Sequence, residues 1–326
     1  MVEKITKNIY KIDVPLKGNP LKSLNAYFLK GDDEDFLIDT GFNTEDCEAT
    51  LRTGLEELHY EPKRLNILNT HLHADHTGLD YVFTGEDKKA YISKPDYDSI
   101  VKFYFGVGFE REKRDLTEGI SPELFKQMRS STPSNLYRKP HYDLDRMQTF
   151  EDGQIFHCGD LELKAIMVPG HTVGNTMFWC EKEKIMFTGD HILFDITPNI
   201  SIWMEIEDAL SHYLDSLDKA DQFDVQMPLP SHRTPGDYHK RIASLKAHHE
   251  KRLQSIVDII EKEPGLNAYE ITQRMSWKIH LNEDGSFPLT QLYFATGEAM
   301  SHLDCLVNRG VIEKNMEEPY YVYRLK

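Results

Sequence analysis

Four apolar runs in this chain each lead to side chains that can hold a metal ion, and that repetition restricts the available folds more than any other feature. The run Leu65–Leu68 leads into "NTHLHADHTG", which crowds His71, His73, Asp75 and His76 into six positions. "LKAIMVP" leads to His171, "IMFTG" to Asp190 and "MPLPS" to His232. Short apolar runs bounded by turn residues read as buried strands, and a strand end is a rigid place from which a loop presents a side chain. On an extended turn His71 and His73 point the same way, because the side-chain period is two, whereas Asp75 and His76 can turn toward a neighbouring position. One turn can therefore serve two ions. Imidazole and carboxylate donors suit zinc, and iron or manganese also accept them. The competing reading, a chance scatter of polar loop residues, leaves unexplained why three separate later runs each lead to a ligand type. The other histidines read as structural or solvated, including His191 beside Asp190.

The remaining sequence supplies a framework. "IYKIDVP", "LNAYFLK" and "DFLIDT" read as strands near the N-terminus, and "NTEDCEATLRTGLEELHY" as a helix with Leu51, Leu55 and Leu58 on one side and an Asn or Thr cap. "QIFHCG", "LELKAIMVP", "TMFWCE", "KIMFTGD" and "VQMPLPSH" read as a second set of strands. Between about 94 and 150 the text is aromatic, charged and interrupted by proline, which suits a helical insertion or lid. Phe103, Tyr104, Phe105 and Phe109 within it read as packing residues, and the run Arg111 to Arg114 as a solvated face. A long helix over Tyr238–Lys262 enters a second domain, where a short helix in "LNAYEITQRM", a longer one in "ATGEAMSHLDCLVNRG" and a hairpin in "VIEKNMEEPYYVYRL" resemble a winged helix. The expected domains are 1–237 and 238–326.

Composition excludes several functions. The 326 residues, 40% hydrophobic, suffice for a large packed core, and the net charge of −16 argues against a surface built to hold phosphate backbones. Residues 241–326 carry 11 Lys and Arg against 12 Asp and Glu, so the winged-helix-like tail lacks the footprint of a DNA reader and suits packing or dimerisation. Four scattered cysteines without a CxxC pair fit reduced thiols. No secretory h-region or membrane-length apolar run is evident, so a cytoplasmic protein is expected.

The series HxHxDH, a distant His, then Asp, then His resembles the metallo-β-lactamase superfamily over residues 1 to about 235. The resemblance implies an α/β fold, a four-layer αββα sandwich with metals at one edge. It implies that His71, His73 and His171 hold one metal and that Asp75, His76 and His232 hold a second. Asp190 would bridge them, and Asp39 of "LIDTG" would support the site without ligation. Two divalent transition metal ions follow, zinc foremost and iron or manganese as alternatives. A bridging hydroxide, with Asp75 and Asp190 as the catalytic side chains, would then carry out hydrolysis.

Asp190 stands where class B1 and B2 β-lactamases have a cysteine, which argues against antibiotic hydrolysis, and the layout shows no room for the added domain of β-CASP nucleases. Glyoxalase II and persulfide dioxygenases share the early motif, so thioester chemistry stays open. Ser231 and Arg233 flank His232 where many relatives read Gly-His-Gly. The C-terminal tail resembles that of a subgroup containing glyoxalase-II-like or thioesterase-like hydrolases and an endoribonuclease. The first expectation is hydrolysis of a small ester, thioester or lactone by a protein with a small-molecule substrate and no membrane partner. The alternatives are metal-dependent cleavage of single-stranded RNA and a non-catalytic metal-binding interaction protein. A homodimer is the base-rate expectation.

Overall fold

Strand ends meet at one edge only if the strands run the same way, and the pairing of this chain shows that they do. The computed structural model describes residues 1–105, 109–132, 142–279 and 281–326, with the side chains of residues 103–105 and 109 left out. The expectations for Phe103, Tyr104, Phe105, Phe109, His141 and His280 therefore fall outside the described residues. The chain divides into two compact units, one of residues 1–101, 137–198 and 216–242, the other of residues 102–136, 199–215 and 243–326. Neither unit is contiguous in sequence: the segment 94–150 contributes to both, and the helix Tyr238–Lys262 runs from one into the other.

In the first unit, β1 (Val2–Lys4), β2 (Ile9–Pro15), β3 (Ser23–Leu29), β4 (Asp35–Ile38), β5 (Leu65–Leu68), β6 (Ala90–Ser93) and β7 (Met147–Phe150) pair in sequence order. A second sheet has the order β12-β11-β10-β9-β8, formed by β8 (Ile155–Cys158), β9 (Leu161–Met167), β10 (Thr176–Cys180), β11 (Ile185–Gly189) and β12 (Met227–Pro230). Leu29, Ile38 and Leu68 of the first sheet pack into one core with Phe178, Phe187 and Leu229 of the second. The rings of Tyr27 and Phe187 meet edge to face at 5.2 Å across that core. Helix α1 (Glu45–Glu57) covers the first sheet, with Gly54 so close to Ile12 that an added Cβ would lie 2.8 Å from it. Thr44 caps α1 by accepting the Cys47 N–H, while Leu51 and Leu55 are buried beneath it. The result is a helix-covered pair of packed sheets, in line with the α/β sandwich that the resemblance implied.

Pairing then fixes direction. β4 and β5 are parallel, so Asp39 and the loop after Leu68 emerge side by side. β11 and β12 are parallel, and β9 and β11 are both antiparallel to β10, so the ends of β9, β11 and β12 also share an edge. The expected strands and α1 are present, but the segment 94–150 contains more than helix. β7 lies at its end, parallel to β6, with Met147 and Phe150 buried. In so short a strand only two side chains enter the core, too few to show a period in sequence.

The second unit contains α5 (Phe109–Thr117), α6 (Pro122–Ser130), α9 (Ala268–Arg274), α10 (Leu289–Asn308) and the hairpin β13 (Ile312–Glu317) and β14 (Tyr320–Leu325). It also takes in residues 209–215 of α7 (Ala209–Ala220) and residues 243–262 of α8 (Tyr238–Lys262). Helix α10 begins six residues before the expected Ala295, directly after Pro288, and buries Leu292, Ala295 and Ala299 along one face. The run Arg111 to Arg114 is not the solvated face expected of it. Arg111 Nε donates to both oxygens of buried Asp115 at 2.9 and 3.0 Å, and Arg114 Nη2 donates to both oxygens of Asp304 at 2.6 Å. Carboxylates inside the unit draw the guanidinium groups inward. Among the described residues, no helix is long and apolar enough to cross a membrane.

Candidate metal centre

All seven candidate ligands meet at the shared strand edge of the first unit, with Asp75 and His76 carried by the short helix α2 (Ala74–Thr77) that follows β5. His71 Nε2 lies 2.9 Å from His73 Nδ1, which lies 3.1 Å from His171 Nε2, so three ring nitrogens from two loops converge. His232 Nε2 lies 3.5 Å from Asp75 Oδ2, and His76 Nε2 lies 3.7 Å from the same oxygen. The Asp190 carboxylate stands between the two sets. Its Oδ1 is 3.8 Å from His76 Nε2 and 3.5 Å from His232 Nε2, while its Oδ2 is 3.8 Å from His171 Nε2. Three overlapping groups, His71 with His73 and His171, His71 with His76 and Asp190, and Asp75 with His76 and His232, each offer ligand atoms within 4.8 Å of one another. His71, His76 and His232 are fully buried, whereas Asp75, His171 and Asp190 keep 8%, 6% and 5% of their surface, so the cluster opens on their side.

The ring orientations follow from what the other nitrogen touches. His76 Nδ1–H donates to Asp39 Oδ2 at 2.8 Å, and His232 Nδ1–H donates to the Ser23 carbonyl at 2.7 Å. Each bond turns Nε2 toward the centre, where it can ligate once it carries no proton. Asp39 adopts φ +61° just after β4 and also accepts the Thr70 N–H and hydroxyl, both at 2.8 Å, so it clamps the start of the histidine loop to its neighbouring strand. The Thr70 hydroxyl in turn lies 3.0 Å from His71 Nδ1. Ser231 adds a longer 3.3 Å hydroxyl contact to Asp39, and Arg233 takes the left-handed φ of +65° that a glycine would adopt more easily.

The chemistry of the donor set fits divalent transition metals. Among the described residues, nitrogen and carboxylate oxygen converge without thiolate, and His76 Nε2, Asp190 Oδ1 and His232 Nε2 are buried with no hydrogen-bond partner. The electrostatics are correspondingly tight. Burial pushes His73 down to about 4 and His71 well below the ordinary imidazole range. For His76 burial acts in the same direction, but Asp39, Asp75 and Asp190 outweigh it and push the ring up to about 10. Burial alone would raise Asp75, yet His76 and His232 hold it well below the carboxylate range. Asp39, Asp75 and Asp190 thus favour a positive charge between them, which a bound metal ion would supply.

A family model described as the metallo-beta-lactamase superfamily matches residues 20–232, a span that contains every one of these ligands. The chain belongs to the metallo-β-lactamase superfamily. Members of that superfamily typically bind metal ions, and the clustered His and Asp groups described above could hold them. Among solved structures, a metallo-beta-lactamase family protein from Thermus thermophilus is 25% identical, with a TM-score of 0.82, covering 99% of this chain and 100% of that one. The lactamase-like protein adaB of Aspergillus niger is 25% identical over 80% of this chain and 66% of its own length. The atrochrysone carboxyl ACP thioesterase dmxR1 of Cryptosporiopsis sp. is 27% identical over 62% of this chain and 50% of its own length. The chain thus spans less than two thirds of these two relatives.

Two polar groups beside the ligands had not been singled out from sequence. Asp80, buried in α3 (Asp80–Phe83), accepts from Asn69 Nδ2 at 2.7 Å and pairs with the Thr40 hydroxyl at 3.1 Å; burial first, then Asp39, push it up to about 8. Asn25 donates through Nδ2 to the carbonyls of Pro230 and Arg233 at 2.9 and 2.8 Å, gripping the loop that carries His232. His191 is buried and pushed down to about 3 by desolvation, in keeping with a neutral structural histidine.

Proposed function

We propose that the protein is a dinuclear, metal-dependent hydrolase of a small ester, thioester or lactone. The observation that carries this reading is the convergence of seven donors from separate loops on one edge, three of their buried atoms having no hydrogen-bond partner among the described residues. His71 Nε2, His73 Nδ1 and His171 Nε2 would hold one ion, and Asp75, His76 Nε2 and His232 Nε2 the other, with Asp190 shared. Bound divalent ions, zinc foremost, supply a water ionised near neutral pH and a Lewis acid for the substrate carbonyl.

The chain's own residues do the rest. Asp39 and the Ser23 carbonyl each hold one Nδ1 proton, which fixes His76 and His232 in the tautomer that can ligate. Asp75 lies on the open side of the cluster, where its carboxylate can orient an attacking water by accepting its hydrogen bond. The thioesterase name of one relative supports a carbonyl substrate. In this reading the protein works in the cytoplasm, and the near-neutral segment 238–326 forms a winged-helix-like domain serving packing or dimerisation.

The test is a panel of acyl thioesters and lactones beside a fluorescent single-stranded RNA, each with and without chelator. Chelator-sensitive hydrolysis of a thioester or lactone is expected, falling about 100-fold or more in His73→Ala and Asp190→Ala. Cleavage of the RNA alone would overturn the proposal in favour of a nuclease. Bound metal without turnover of any substrate would mark a non-catalytic metal-binding protein.

A further inference from the structure

The histidine loops are held by a second buried carboxylate, and its contacts differ from those of Asp39. Asp96 lies in the first turn of α4 (Lys94–Phe105) and is fully buried. Its Oδ2 accepts the Leu72 N–H at 2.9 Å and the Thr172 hydroxyl at 2.8 Å; its Oδ1 accepts the Gly174 N–H at 2.7 Å. Leu72 sits between His71 and His73, and Thr172 directly follows His171. One carboxylate therefore joins the two loops that bear the three converging imidazoles. Gly174 makes the approach feasible, since an added Cβ there would collide with Ser93 Oγ and come within 2.8 Å of the Asp96 nitrogen.

Asp39 serves the other side. It bonds His76 directly and meets the three-histidine set at one point, the Thr70 N–H and hydroxyl beside His71, without joining that loop to the one bearing His171 among its described contacts.

We propose that Asp96 is a positioning residue for the ion held by His71, His73 and His171, and that Asp39 positions chiefly the ion held by Asp75, His76 and His232. This rests on the two-ion reading above. The three bonds that Asp96 accepts run through backbone and hydroxyl groups on either side of the ligands. A carboxylate suits the position because an ionised carboxylate only accepts, and three donors face it. An asparagine would turn an N–H toward either the Leu72–Thr172 pair or Gly174, leaving buried donors opposed. Because the neighbouring partners of a metal ligand fix its orientation, losing this one is expected to weaken the affected ion about 10- to 100-fold.

The experiment is a cobalt(II) titration of dialysed full-length protein, followed by the visible absorption of the bound ion and by elemental analysis. Wild type is compared with Asp96→Asn and Asp39→Asn, and with His73→Ala and His232→Ala as references for loss of one ion or the other. Two cobalt ions are expected in wild type. In Asp96→Asn one should bind about 10- to 100-fold more weakly and the other within about 3-fold of wild type, with a residual spectrum like that of His73→Ala. Asp39→Asn should resemble His232→Ala.

Equal weakening of both ions in Asp96→Asn, as a general loss of structure would give, or no weakening of either, would overturn the assignment. Should Asp96→Asn fail to fold, Thr172→Val removes one of the three donors while keeping shape, and must weaken the same ion about 3- to 10-fold; unchanged binding would overturn the proposal. A wild-type chain taking up no cobalt would instead overturn the metal reading, and the Asp96 assignment with it.

Discussion

At the scale of single residues, the metal-capable side chains are set by partners that are not themselves ligands. Asn25 shows this for His232. Replacing it with alanine withdraws donors from the carbonyls on either side of Ser231 and His232, although Pro230 keeps the Tyr27 hydroxyl at 2.8 Å. Asn25→Ala is expected to cost about 1–3 kcal/mol in denaturant unfolding. It should also lower the hydrolytic rate about tenfold or more, through the loosened His232; a stability loss with an unchanged rate would show that the loop does not need the tether. All seven ligand candidates were legible in the sequence because histidine and aspartate at the ends of apolar runs are chemically marked. Asn25, Thr70 and Asp96 were not. Their work is ordinary hydrogen bonding, and each lies far in sequence from at least one of the groups it holds, so neither spacing nor residue type distinguishes them from surface polar residues.

At the scale of elements, legibility followed how much a segment buries. β5, β10 and β11, with every residue buried, stand out as apolar runs, and α1 shows a cap and a leucine stripe. Thr44→Ala should therefore cost about 1 kcal/mol by removing that cap, read as a shift in the unfolding midpoint. β1 and β7 bury few side chains, and their partners are supplied only by the fold. α5 was misjudged for a different reason: charges look solvated until their counter-charges are located. Asp304 lies 190 residues from Arg114 in the chain yet accepts two bonds from it, each side chain being under one fifth exposed. Arg114→Ala would leave that carboxylate without its guanidinium. A cost of about 2 kcal/mol is expected, between the values for exposed and fully buried pairs, and unfolding within a few tenths of wild type would show that the pair contributes little.

At the scale of the whole molecule, the second unit's buried histidines make stability depend on pH. His302 Nδ1–H donates to the Glu298 carbonyl at 2.7 Å, and His302 Nε2 lies 3.1 Å from His249 Nδ1, while His249 Nε2 has no hydrogen-bond partner among the described residues. Burial pushes His302 down to about 3 and His249 well below the usual range. The unfolded rings take up protons near pH 6.5 and the folded ones do not, so this contribution to stability is intact above 6.5 and is lost progressively as the pH falls toward 3. At pH 5 the loss from His302 alone is about 2 kcal/mol, and His302→Gln, which cannot titrate, should flatten the stability curve between pH 6.5 and 5 by about that amount. An equally steep curve in the variant would place the pH dependence elsewhere.

The central claim concerns the first unit, where two strand-end loop sets are brought to one edge by parallel pairing and share a single carboxylate. Elemental analysis of dialysed protein loaded with zinc tests it most directly. Two zinc ions per chain are expected in wild type, and no more than one tightly held ion in Asp190→Ala; a wild-type chain that retains no zinc, or an Asp190→Ala chain that retains two as firmly as wild type, would contradict it.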